Sequence, residues 1–367
     1  MIHRSHAKSA GPRHVWTGQG TRLRWHVIRC RNMKKNLRTC ARCGLKSNLE
    51  DEAVANVGLV KSSDHYAAVR SALDLIKDDV TIPADLPVLV KPNMVSPDIS
   101  LTATPVDAVR ATLDFLQDLG VKKFIVGEGS AETADTMGGF ERFGYLPLQD
   151  SYDIEFRDLN KDEPVELEAL DANYEPITIR LAKSYFTSYV VSVSRMKTHN
   201  NAVVTLSIKN CAIGSILNPD RSTVSHDPGP INLSLVRLNR AAPPQLAVID
   251  GVVGMEGNGP VDGTAISSGV ALAGTNSIAV DRVGAEVMGF DTRSIGYLTY
   301  LSQMTGLTRD DINVIGEDPT QCVTRFKAHD DVLWQFGWWI KDWESYVDKS
   351  AVLDPAFRPD LSATPAD

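Results

Sequence analysis

Short, continuous apolar runs that halt at a charged or glycine-rich motif recur along this chain. They end at Lys91-Pro-Asn93, Gly127-Glu-Gly-Ser130, Arg195-Met-Lys-Thr-His199 and Asp250-Gly-Val-Val-Gly254. A strand that is apolar at every position has both faces buried, which a parallel sheet held between helices provides. The runs at Ala55–Val60, Pro87–Val90, Lys122–Val126, Tyr189–Val193, Leu246–Ile249 and Ile312–Ile315 are read as such strands. Between them the spacing is helical. His65–Ile76 carries apolar residues at Ala68, Val69, Leu73 and Ile76, while Pro105–Leu119 has a proline at its start and Gly120 just past its end. Ser277–Met288 and Ile295–Met304 are read as helices too. This alternation predicts right-handed crossovers in an α/β fold with a mostly parallel or mixed central sheet and flanking helices. From about 150 to 185 the runs Tyr152–Phe156, Val165–Leu167 and Ile177–Leu181 alternate and are joined by acidic turns, which predicts an antiparallel β insertion.

Charge divides the chain unevenly. Of 38 Lys and Arg and 46 Asp and Glu, the first fifty residues hold 12 basic groups and one acid, leaving 26 against 45, or −19, for the rest. A body of that sign has no reason to bind nucleic acid or an anionic membrane through its bulk field. Residues 1–52 read as a disordered basic leader, with an organelle transit peptide or an upstream start codon as alternatives. Residues 53–316 read as the α/β domain, and 317–367 as a Trp-rich segment, packing as one helix, with a polar tail. No apolar run reaches the roughly 18 residues of a membrane span, so a cytoplasmic location is expected. The five cysteines, at 30, 40, 43, 211 and 322, suggest no disulfide framework and fit a reducing compartment.

Several motifs fall in order: Val90-Lys-Pro-Asn-Met94, Gly127-Glu-Gly129, Met196-Lys-Thr-His199, Val204-Thr-Leu-Ser-Ile-Lys-Asn210, Val248-Ile-Asp-Gly251, Gly259-Pro-Val-Asp-Gly263 and Ala279-Val-Asp281. Together, over about residues 55 to 316, they resemble the family catalogued as domain of unknown function 362. Many relatives carry ferredoxin-like cysteine clusters and are labelled iron–sulfur proteins. This chain lacks that cluster, so the resemblance implies no iron–sulfur centre here; Cys30, Cys40 and Cys43 leave a redox protein as a third reading.

In open α/β sheets ligands bind outside the carboxyl ends of strands, so the four halting motifs are expected to converge on one crevice. Lys91, Lys197 and Lys209 place three ammonium groups there in an acidic protein, and a buried ammonium is costly unless it meets an anion. Each can instead pair internally with Glu128, Asp250 or Asp281. His199, two residues beyond Lys197 in an extended segment, faces the same way and is the candidate acid or base beside it. His226 lies in a loop that can approach the site or serve only as a turn. Asn93, Ser130, Thr198 and Asn210 suit orientation of a polar ligand, and the glycines, Gly251 and Gly259 among them, let backbone amides approach it. Glu128 and Asp250, with His199, are candidate ligands for a divalent metal.

Gly254-Met-Glu-Gly257-Asn-Gly259 has the wrong spacing for a dinucleotide loop, so no nicotinamide cofactor is expected. Cys211 reads as a small core residue. The expected function is an enzyme acting on a small phosphate- or carboxylate-bearing substrate by acid–base chemistry of isomerase or lyase type, metal assistance remaining open. A non-catalytic anion- or metal-binding protein is the alternative. Oligomeric state is not legible in these residues.

Overall fold

In the computed structural model, which describes residues 54–131 and 135–347, alternate residues of each central strand enter two different cores. Val88, Val90, Val191, Val193, Val248 and Ala273 pack on one face, while Leu89, Val190, Ala247, Ile249 and Leu272 pack on the other. That division follows from the two-residue period of a strand and makes the sheet the middle of three layers.

The strands are β1 (Ala55–Lys61), β2 (Val88–Pro92), β3 (Lys123–Glu128), β4 (Asp153–Asp158), β5 (Pro164–Leu170), β6 (Pro176–Ala182), β7 (Tyr189–His199), β8 (Val203–Thr205), β9 (Leu246–Asn258), β10 (Asp262–Ile266), β11 (Val270–Gly274) and β12 (Ile312–Gly316). All but β5 and β6 form one ten-stranded sheet, ordered β12-β1-β11-β9-β7-β2-β3-β4, with β8 and β10 folding back on β7 and β9. From β9 to β4 neighbours are parallel, whereas β11 runs antiparallel to both β9 and β1. The fold is thus α/β with a mostly parallel mixed sheet.

The helices are α1 (His65–Asp74), α2 (Val106–Asp118), α3 (Thr136–Arg142), a single turn α4 (Lys183–Phe186), α5 (Ser207–Gly214), α6 (Pro228–Ala241), α7 (Ser277–Val287), α8 (Gly296–Thr305) and the turns α9 (Val332–Gln335) and α10 (Glu344–Val347). Helices α1 and α2 supply Ala68, Leu73, Val109 and Phe115 to one face; α5 to α8 supply Ile208, Leu235, Val283 and Leu298 to the other. The chain proceeds from β2 to β3 and β4 on one side and later builds β7 and β9 on the other. The strand order therefore reverses between β2 and β7, which is where an open α/β sheet forms its crevice.

Three expectations are corrected. The run near Tyr152 is not part of the antiparallel insertion: β4 is the parallel edge strand of the main sheet, and only β5 and β6 pair as a separate hairpin. An edge strand alternates in exposure, as a hairpin strand does, so the two look alike in sequence. The glycines from Gly251 to Gly257 do not form a loop. They lie within β9 opposite Val270, Ile266 and Gly263, and the Gly257 N–H is taken by the Lys327 carbonyl at 2.7 Å. The Trp-rich segment is no single helix. Trp338 and Trp343 pack against Tyr300 with ring centroids 5.1 and 4.7 Å away, whereas Trp334 and Trp339 stay exposed. The expected leader and the cysteines at 30, 40 and 43 lie outside the described residues, as does the tail beyond 347. Among the described residues, no helix is long and apolar enough to cross a membrane.

Candidate functional site

The carboxyl ends of β2, β3 and β7 meet the start of α5, and a continuous buried hydrogen-bond network joins them. Lys91 Nζ donates to Glu128 Oε2 at 2.5 Å and to Asn210 Oδ1 at 3.2 Å. Asn93 Nδ2 donates to the same Asn210 oxygen at 3.1 Å, and Asn93 Oδ1 accepts from Lys197 Nζ, which also donates to the Thr102 carbonyl at 2.9 Å. Asn210 Nδ2 donates in turn to Ser192 Oγ at 3.2 Å. Lys91 and Lys197 are wholly shielded from water. Burial raises the Glu128 carboxyl pKa above the usual range, with the neighbouring Lys91 opposing it. The approach is so close that a Cβ on Gly214 would sit 2.6 Å from Lys91 Nζ.

Helix α5 is itself held by a carboxylate from α7. Asp281 Oδ1 and Oδ2 accept from the backbone N–H groups of Ser207 and Ile208 at 2.8 and 3.0 Å, and the Tyr297 hydroxyl donates to it at 3.2 Å. Free amides at a helix start favour an anion, and a buried carboxylate supplies it. Burial nevertheless pushes the Asp281 carboxyl up to about 7, outweighing those three donors. Asp281 thus fixes α5, the element that carries Lys209 and Asn210, and does not itself line the cavity.

Beside the network lies a cavity of about 210 Å³ whose wall includes His199, Asn201, Thr205, Lys209, Arg221 and His226. A larger one, about 490 Å³, opens at the far end of the sheet between α6 and α7. The smaller cavity is the better candidate, because charged and titratable groups concentrate in it and it lies at the carboxyl ends of the parallel strands.

Its groups differ from those of the network in being unspent. Lys209, only 8% exposed, has no hydrogen bond or ion pair among the described residues. Burial, helped by the Arg221 charge, lowers its ammonium to about 7. Arg221 donates to the carbonyls of Gly129 and Ile216 at 2.9 and 2.6 Å and leaves Nε without a partner. Thr205 Oγ1 and Asn201 Oδ1 are likewise buried and unpartnered. Others lie singly elsewhere, at Arg195 Nε and Arg237 Nε among them; in the cavity three are gathered beside Lys209.

The two histidines have opposite tautomers, each set by the backbone. His199 Nδ1 accepts from the Asn201 N–H at 3.0 Å, so in the neutral ring Nε2 carries the proton. His226 Nδ1 lies 2.9 Å from the Val224 carbonyl, which can only accept, so Nδ1 carries the proton and Nε2 keeps its lone pair. Burial first, then the Lys209 charge, lowers both pKa values, that of His199 far more; His226 and Lys197 add to the effect on His199. Both rings are therefore neutral near pH 7, one a donor and the other an acceptor. Asn201 ties them together, its Nδ2 donating to the His226 carbonyl at 2.7 Å.

The residues singled out by sequence divide accordingly. His199, Lys209, Asn93, Asn210 and Glu128 line the cavity; Lys91 stands directly behind, paired to Glu128. Lys197 is turned away into the Asn93 and Thr102 contacts and does not line it. Thr198 Oγ1 donates to the Gly257 carbonyl at 2.8 Å, and Ser130 Oγ is buried without a partner and outside the lining. Gly251 packs under Met196, and a Cβ on Gly259 would meet the Thr198 carbonyl at 2.3 Å, so these glycines serve strand packing rather than a ligand.

Glu128 and Asp250 share no site. Asp250 is paired at 2.6 Å with His65 Nδ1, whose pKa it raises, and accepts from the Val252 N–H at 2.9 Å. Among the described residues, no group of three or more His, Cys, Asp or Glu is placed to hold a metal ion. No motif surrounds Arg221, so the residues around it give no signal of its place in the cavity. His226 was undervalued because Ser225-His-Asp-Pro reads as a turn, although Pro228 directly after Asp227 marks the start of α6.

Fold and site together define an α/β protein with a cationic, partly unsatisfied cavity at the switch point of its sheet. The model of the family described as domain of unknown function (DUF362) matches residues 88–286, more than half of the chain, and the chain belongs to that family. A thylakoid-associated protein of Synechocystis sp. is 27% identical over 266 residues, which are 66% of this chain and 77% of that protein. Among solved structures, lactate racemase apoprotein from Thermoanaerobacterium thermosaccharolyticum aligns with a TM-score of 0.42 and 11% identity over 66% of this chain, which spans 58% of the racemase. A Thermotoga maritima protein aligns with a TM-score of 0.33 and 12% identity, over 65% of this chain and 59% of that one. Neither structural likeness is close enough to carry a residue role across.

Proposed function

We propose that this protein is an enzyme acting on a small anionic substrate, bearing a carboxylate or phosphate, by acid–base chemistry of the isomerase or lyase kind. The supporting observation is the cavity itself, where Lys209 and the guanidinium of Arg221 supply positive charge and the nearest carboxylate, Glu128, is already neutralised by Lys91. An anion entering there meets Lys209, which has no partner among the described residues, beside an Arg221 that is bonded to carbonyls but keeps Nε free. His226, with its free Nε2 lone pair, is the base that removes a proton, and His199 donates its Nε2–H to the oxygen on which charge develops. His199 thus keeps the acid side of the role expected for it. Lys197, expected beside it in catalysis, instead positions Asn93, and Lys91, Asn93 and Asn210 form the rigid frame. Cytoplasmic placement belongs to the same reading; the Synechocystis relative, a thylakoid-associated protein, sets the competing expectation, which cell fractionation decides.

A thermal-shift series with small carboxylates and phosphate esters tests the reading. At a ligand concentration of 100 times Kd a site of this kind stabilises the fold by about 2.7 kcal/mol. One or more such anions should raise the Tm of wild type and of Lys183→Met, a surface control, but not of Lys209→Met. If none raises it, or if Lys209→Met responds like wild type, the reading fails.

A further inference from the structure

We propose that Lys209 is a covalent nucleophile, its amine condensing with the carbonyl carbon of a small 2-oxo acid to form an imine. This deepens, and rests on, the reading of the cavity as an anion site.

Three buried lysines at the same end of the sheet make the case by contrast. Lys91 is held by Glu128, and Lys197 by Asn93 and the Thr102 carbonyl; both are fully enclosed and unable to meet a ligand. Lys209 lines the cavity and has no protein partner among the described residues. Desolvation together with a neighbouring cation is the environment that leaves a lysine neutral and nucleophilic near pH 7, and here the neighbour is Arg221. A lysine meant only to anchor structure would be expected to have a carboxylate or carbonyl within reach, as the other two have.

The rest of the cavity supplies what the condensation requires. As the amine lone pair forms the C–N bond, the carbonyl π pair moves to oxygen, where the His199 Nε2–H donates a hydrogen bond. His226 Nε2 accepts a proton from the new ammonium and returns it to that oxygen. The nitrogen lone pair then forms C=N as the C–O bond breaks, and His226, cycling a second time, passes the remaining N–H proton to the departing hydroxyl, so that water leaves with both hydrogens of the original amine. The substrate carboxylate lies in the field of Arg221. A cavity of about 210 Å³ restricts the substrate to a few carbon atoms.

The test is reductive trapping. The full-length protein is incubated with glyoxylate or pyruvate and sodium borohydride, and the adduct is located by intact mass and peptide mapping. The expected result is one reduced adduct per chain on Lys209, lost in Lys209→Arg, with a labelling rate that rises with pH through about 7. Exposed lysines of ordinary pKa would label only as pH approaches about 10.4, and Lys183, which its Glu163 partner holds higher, later still. Absence of an adduct at Lys209, or label confined to exposed lysines, overturns the proposal. Should Lys209→Arg fail to fold, the wild-type peptide map decides alone. Oxalate, an acid with no ketone carbon, separates the two claims. If it stabilises the protein while no adduct forms, the imine falls and the anion site stands; if no anion stabilises the protein, the anion site itself fails.

Discussion

Two groups of buried charge lie at the carboxyl end of one sheet, and they are built on opposite terms. In the network of Lys91, Glu128, Asn93, Lys197 and Asn210 nearly every donor has an acceptor, so the charges act as rigid framework. In the adjoining cavity Lys209, Arg221 Nε, Thr205 Oγ1 and Asn201 Oδ1 have none. Burial alone does not distinguish the groups. Satisfaction does: unpartnered buried atoms such as Ser130 Oγ and Arg237 Nε occur singly elsewhere, but among the described residues only in the cavity do three of them stand together beside an unpaired lysine.

Breaking the framework should have the largest effect. Lys91→Met leaves Glu128, only 2% exposed, without its cation, and removing one partner of a buried pair typically costs about 3–5 kcal/mol. Lys209→Met, of similar shape, removes a charge that has no partner, and the free protein should be no less stable than wild type. Urea unfolding of both variants checks the contrast; equal losses would erase it.

Next in size is Asp281→Ala, which strips the start of α5 of its acceptor. A loss of about 1–3 kcal/mol is expected from the charged hydrogen bonds, together with loss of anion-induced stabilisation because α5 carries Lys209. Retention of full anion response in that variant would show that α5 does not need Asp281.

The pH dependence is smaller and has a defined sign. The folded pKa of Lys209 is lowered to about 7, so from there to about 10.4 the unfolded chain holds a proton that the folded one lacks. Stability of the free protein should therefore rise with pH in that window, and Lys209→Met should remove this contribution. The lowered pKa values of His199 and His226 act on the acid side, destabilising as pH drops below about 6.5 where the unfolded imidazoles take up protons, while the raised carboxyls of Asp281 and Glu128 act in the opposite sense there. Anion binding that requires a charged Lys209 should weaken as pH rises above 7, whereas imine formation should accelerate. The smallest effect belongs to the exposed Lys123 and Asp153 pair at 3.7 Å, where Lys123→Ala should leave the unfolding midpoint unchanged within error.

Much of this arrangement was legible in the residues. Continuous apolar runs ending at Val90, Val126 and Val193, just before the motifs that hold Lys91, Glu128 and Lys197, identify the parallel strands and with them the end of the sheet where a cavity must lie. Partnership was not legible. Lys197 meets Asn93 from 104 positions away and Lys91 meets Asn210 from 119, and no local pattern reports a contact set by the sheet order. Helix α6 gives no clear helical signal because it is buried almost all round, its polar Asn232, Ser234, Arg237 and Asn239 included, so no exposed polar face sets the period. Strand β9 was cut short at Asp250 because glycines usually interrupt strands, whereas here they let Met196 and Phe326 pack against it.

The most direct measurement is an NMR titration of carbon-13-labelled lysines, with the Lys209 signal assigned by its loss in Lys209→Arg. A cavity lysine kept free for a ligand should titrate at about 7 in the free protein and move to higher pH when oxalate saturates the site. A Lys209 that titrates near 10.4, the ordinary lysine value, or that ignores every small anion offered, would contradict the division between framework and site.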